Sequence, residues 1–358
     1  MKQLAVRGLE QRARLDSGVD TFDLAIGYVN DDERSIENLR AVSAEMAPTR
    51  IAYLAKISPS DAPESDSRFG REECLDSLHG FRCLEWTETS GREVAAFLYD
   101  AAIKSGDSKV SCYLDVSAMP RSLAASILVT LRLLAEVNIE VRLTLGYCLA
   151  EYTAPSQAAM PPNRRVSPVH DLLAGWTQDP SSPVQVLVGL GYERGKALGA
   201  VEYLQPSDWR LFLPESPEER FFTDVQTQNA ELLEGTKDAH KFEYNVLDPA
   251  FQFVTMHSMI RAMIVDTRPV FLPFGPKIFF AVCVLLGLMF PSVAVWHVSG
   301  EEQAMPSKRK PSEHRVQFSL SLLCVELDEP KDDNSFTSAI KHFLTVSSHG
   351  NIHSPSDG

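Results

Sequence analysis

Two stretches of this chain run through the same order of sequence signals, and a duplication of that kind restricts the possible folds more than any local propensity does. The first opens with the strand-like DLAIGYV (Asp23 to Val29), followed by Glu33-Arg34, a helical pattern carrying Ile36, Leu39, Val42 and Met46 on one side, and a second strand, RIAYLAKI. The second opens with VQVLVGLGY (Val184 to Tyr192), followed by Glu193-Arg194, a helical stretch with Leu198, Val201 and Leu204, and the strand WRLFLPE. Further on, VSCYLDVSAMPR leads into a helix through Leu123, Ile127, Leu131 and Leu134 and then into IEVRLTLGY. Its counterpart is PVFLPFGPK, the apolar IFFAVCVLLGLMF and the strand SVAVWHVS. Arg34 precedes Arg121, and Arg194 precedes Lys277, by nearly equal lengths of chain. Strands alternating with helices imply βαβ units with right-handed crossovers. The expected fold is α/β, with two pseudo-repeated Rossmann-like lobes built on largely parallel sheets.

The lobes are expected at residues 1–154 and 184–327. The connection 155–183, with APSQAAMPPNRR and TQDPSSP, reads as a linker that carries a short helix around Val169 to Trp176. PSKRKPSEH reads as a solvated loop before a last strand, VQFSLSLLCVEL, and residues 328–358 as a flexible tail. Thr89 or Ser90 is placed to cap one helix, and Asp248-Pro249 another, through Met256, Ile260 and Met263.

A chain of 358 residues can bury a large core without staples. Its net charge of −14 argues against an extended duplex nucleic-acid surface, which relies on many cations facing phosphates. The six cysteines form no CxxC pair and lack histidines at zinc-finger spacing, so neither a metal site nor disulfides are expected; the start, MKQLAVRGLEQRARLD, has no signal-peptide core, which points to the cytoplasm. Ile278 to Trp296 contains no charge and matches a membrane span in length. Pro291 and the β-branched residues after it divide that stretch into a buried helix and a buried strand, so no membrane is expected.

In open parallel sheets ligands bind beyond the carboxyl ends of the strands, where turns and helix starts present N–H groups. DVSAMPR offers Asp115, Ser117 and Arg121 at such a turn, and PFGPK offers Gly275, which permits close backbone approach, and Lys277 as a compact cation. Each basic residue serves equally well as a solvent-facing helix start. Glu33, Arg34, Glu193 and Arg194 stand at the other strand-end turns, where charged pairs line clefts or bridge lobes. GLGYERG departs from the GxGxxG fingerprint; no Walker A, HExxH or nucleophile elbow occurs, and no cofactor is expected. His257, among Met256, Met259 and Met263, reads as a core histidine, and Cys112, Cys148 and Cys283 as small apolar residues.

The segments CYLDVSAMPRSLAASILVTLRLL and VFLPFGPKIFFAVCVLLGLMF resemble the CARF and SAVED superfamily of Rossmann-like sensor domains, in the form that carries two units in one chain. The resemblance covers about residues 20–325. It implies a sensor of nucleotide or oligonucleotide second messengers in antiphage defence, in which Ser117, Arg121, Gly275 and Lys277 contact the ligand backbone and Arg34 and Arg194 line the same cleft. No effector segment is evident beside the lobes, so the resemblance implies output through a separate effector protein or a change in assembly. Two other readings remain open: an enzyme acting on a nucleotide or phosphorylated metabolite, with Asp115 or Glu33 as the acid-base group, and a scaffold subunit for an effector.

Overall fold

A computed structural model describes residues 2–30, 32–54, 78, 80–87, 90–155, 163, 165–175, 181–299 and 309–326. Among the described residues, thirteen strands form two mixed sheets. The first contains β1 (Lys2–Arg12), β2 (Leu24–Val29), β3 (Thr49–Leu54), β4 (Arg82–Glu85), β5 (Lys109–Asp115), β6 (Glu140–Ala150) and β13 (Pro311–Glu326). The second contains β7 (Arg165–Pro168), β8 (Val184–Gly189), β9 (Asp208–Glu215), β10 (Lys241–Asn245), β11 (Arg268–Pro273) and β12 (Ala294–Ser299). The described helices are α1 (Arg34–Arg40), α2 (Ser90–Ser105), α3 (Arg121–Glu136), α4 (Lys196–Leu204), α5 (Glu219–Gln228), α6 (Ala230–Glu234), α7 (Pro249–Met263) and α8 (Lys277–Met289).

The repeat is carried by the strand order. Both sheets contain the parallel set third-second-first-fourth-fifth, as β4-β3-β2-β5-β6 and as β10-β9-β8-β11-β12. This is the Rossmann-like order, with its reversal point between β2 and β5 in one lobe and between β8 and β11 in the other. Beyond the fifth strand each sheet adds an antiparallel neighbour, and here the chain crosses over. The strand after β6 is β7, which pairs with β12; the strand after β12 is β13, which pairs with β6 and with β1. The last strand, read from sequence alongside lobe two, therefore belongs to the first sheet, and the connection between the lobes supplies an edge to the second. Within that connection the expected helix is a 3₁₀ turn, Asp171–Leu173, which His170 caps by accepting from the Leu172 amide and which buries Leu173.

Helix placement follows from where the apolar residues fall. Ile36, Leu39, Val42 and Met46 bury against the outer face of the first sheet with Ala25, Val29 and Tyr113; Ala197, Ala200, Val201, Val225 and Leu232 do the same on the outer face of the second. Between the sheets one continuous core takes α3, α7 and α8 together, with Leu123, Ile127, Leu131, Phe253, Val284, Leu288 and Phe318. The lobes thus share a core, and α3 packs on α8. Every residue from Ile278 to Met289 is buried, which is why that helix is apolar on all sides. No described helix is long and apolar enough to cross a membrane. Asp248 caps α7 through the Phe251 amide with Pro249 at the first position, as the sequence indicates.

Candidate functional site

The turns that follow β5 and β11 are built alike. Each ends in a proline with extended backbone, Pro120 (φ −57°, ψ 140°) and Pro276 (φ −52°, ψ 142°), and each helix then begins on a cation, Arg121 or Lys277. Proline at that position stops the helix from starting earlier and sets the direction of its first turn. Because α3 and α8 pack together, the two starts meet. Arg121 Nη2 donates to the carbonyls of Phe274 (2.5 Å) and Gly275 (2.9 Å) in the other lobe, and its guanidinium lies over the Phe280 ring at 5.9 Å. Arg121 Nε is buried without an acceptor.

Lys277 is half-buried and forms no ion pair among the described residues. Burial first, then the charges of Arg121 and Arg34, push its ammonium well below the usual lysine range; Arg309 adds to this and Asp32 opposes it. Arg309 lies in the segment read as a solvated loop, and its carbonyl accepts from the Glu33 amide at the start of α1. The sequence carried no signal for it, because a tertiary crossing brings it there. Tyr147 on β6 feels Arg34 and Arg309, Tyr192 after β8 feels Arg309, and the Tyr192 hydroxyl is buried without a partner.

The other predicted residues separate into two groups. Arg34 begins α1 and is nearly sealed, with Nε on Asp32 Oδ1 (2.9 Å), Nη2 on Asp32 Oδ2 (2.6 Å) and Nη1 on the Cys148 carbonyl (3.4 Å). Its paired acid is Asp32, whereas Glu33 is exposed. In the second lobe the helix starts two residues later, on Lys196, so Glu193-Arg194 lies in the turn. There Arg194 is exposed, and Glu193 is the carboxylate that acts on Arg121. The dipeptides match in sequence but not in position.

Asp115 and Ser117 are 1% and 0% exposed and build the turn from within. Asp115 accepts from Asn38 Nδ2 (2.6 Å), the Ser117 amide (3.0 Å) and the Ser117 hydroxyl (3.2 Å), while the Cys148 amide donates to Ser117 Oγ (2.9 Å). Burial pushes the Asp115 carboxyl up to about 7 against the pull of those donors. Its oxygens are occupied, which suits it to holding β5, α1 and β6 together. Gly275 does allow a close approach, but to its own chain: a Cβ there would strike the Leu190 carbonyl. The close packing places the Gly275 carbonyl beneath Arg121.

A cavity of 220 Å³ opens beside Arg121, lined by Pro120, Ser122, Lys277, Trp296, His297 and the strand end Leu272 to Phe274. Trp296 and His297, in the middle of β12, were not singled out in the sequence. The only signal was their place after the apolar run. Fold and site define a two-lobed, Rossmann-like α/β protein with a basic cleft at the carboxyl ends of facing parallel strands. No family model matches the chain, and no curated protein matches it either.

Proposed function

We propose that the protein is a regulatory sensor that takes a phosphate-rich nucleotide or oligonucleotide messenger in the cleft between its lobes and passes the event to a separate effector protein. One observation carries the reading: Arg121 and Lys277, first residues of helices from different lobes, meet beside Arg34 and Arg309, with Asp32 and Glu193 as the carboxylates that act on them. Cations so gathered at helix starts suit an anion with several oxygens, since each start also offers free amides. The likeness of the two turns to CARF and SAVED domains extends this to a messenger of antiphage defence. The sealed position of Asp115 weighs against the acid-base role in the enzyme reading.

The test is a binding titration with a panel of mono-, di- and oligonucleotides against the intact chain and the Arg121→Ala/Lys277→Ala variant. Losing two charge-assisted contacts is expected to weaken the bound member by about a hundredfold or more. Undiminished affinity in a folded variant sinks the proposal.

A further inference from the structure

The cavity beside Arg121 has features that the cleft reading does not use. In the β7–β12 register His297 stands opposite Ser167 and Ser299 opposite Arg165, so by the two-residue alternation of strands Arg165 and His297 share a face of the sheet. Arg121 lines the same cavity as His297, and Arg121 and Arg165 are the charges that act on the His297 ring. His297 Nδ1 is buried without a hydrogen-bond partner. Arg165 is exposed and, like Lys277, forms no ion pair among the described residues. The described residues that line the cavity include no carboxylate. Two elements, β7 with Arg165 and α3 with Arg121, therefore direct positive charge at a half-buried imidazole, and the carboxylate that acts on Arg121, Glu193, stands outside the cavity lining.

We infer that the His297 end of this cavity is a second anion subsite, in which His297, with Arg165 on the adjoining strand at its rim, holds a phosphate group of the same ligand that Arg121 and Lys277 hold at the other end. The inference rests on the cleft reading and adds a substrate class to it: the ligand carries at least two phosphates, with Arg121 between them. An anion is the group that completes the set, because guanidinium and ammonium only donate and an imidazole completes its hydrogen bonding by donating to an oxygen.

The probe is inorganic phosphate titrated into the intact chain, followed by the ring resonances of His297 in a ¹⁵N-histidine NMR spectrum, with His297→Gln identifying the signal. Phosphate is expected to shift the His297 signal saturably, and Arg165→Ala, on an exposed edge, to weaken that binding about tenfold, the effect of one charge-assisted contact. A His297 signal that phosphate leaves in place, or a titration unchanged in Arg165→Ala, overturns the inference. If nucleotides bind and phosphate does not move His297, the subsite fails while the cleft reading stands. If phosphate moves His297 and the nucleotide panel does not bind, the subsite stands and the nucleotide reading fails.

Discussion

Among the described residues, the buried Asp115 carboxyl and the half-buried Lys277 ammonium shape the pH behaviour expected of this protein. Asp115 titrates at about 7 in the fold against 3.8 for an ordinary aspartate, so between those values the folded chain holds a proton that the unfolded chain has lost. Its contribution to stability is complete below about pH 4, declines as pH rises through 7, and is flat above. Asp115→Asn is expected to remove that slope, read as denaturant midpoints across pH 4 to 8; an unchanged slope assigns it to another group. Lys277 works in the opposite sense. Its ammonium is held below the ordinary range, and an anion in the cleft raises it again, so ligand binding takes up a proton and tightens as pH falls. Calorimetry in buffers of different ionisation enthalpy measures that uptake directly, and Lys277→Met removes it. The sequence located Arg121 and Lys277 because each follows an apolar strand and a proline. Which side chain is sealed by a neighbour was invisible to it: Arg34 and Asp32 are two residues apart, but their pairing and burial come from β6 crossing above them.

Among the elements, the turns are where sequence and packing meet most closely. The turn after β11 lies against the end of β8, with the Phe274 and Gly275 amides donating to the Gly189 carbonyl at 2.9 and 3.2 Å. Gly275→Ala drives a methyl into the Leu190 carbonyl and is expected to cost about 1–3 kcal/mol, as overpacking does, while moving the carbonyls that hold Arg121. Thermal melts test the first consequence and ligand affinity the second. Asp248→Ala, which removes the cap of α7 far from the cleft, is expected to cost about 1 kcal/mol and leave binding unchanged. Elements with strong periodicity were legible in advance, such as α3 and the buried α8. β1 was not: Gly8, at φ +60°, sits in a bulge that shifts the pairing between Arg7 and Glu10 and breaks the alternation of Leu4, Val6 and Leu9. β4 and β10 are short edge strands with few apolar residues, since among the described residues each has a neighbour on one side alone.

For the whole molecule, the exchange of β7 and β13 makes the two lobes one cooperative unit. Removing β13 leaves both β1 and β6 without a hydrogen-bonding partner on that side and takes Phe318, Leu320 and Leu322 out of the shared core. Truncation before Pro311 is therefore expected to abolish hydrogen-exchange protection in β6 of the first lobe, although the deleted strand follows the second. Protection retained in β6 would show that the lobes fold separately. The amino-acid sequence alone determined the α/β class, the duplication and the two basic turns, because these depend on periodicity and on short-range rules for proline, glycine and caps. Only the tertiary structure decided that the lobes trade strands, that Arg309 and His297 stand near Arg121, and that Asp115 and Ser117 turn inward. Those outcomes depend on contacts between residues far apart in the chain, and a local pattern carries no information about which distant segment will fill a sheet edge or cover a charge.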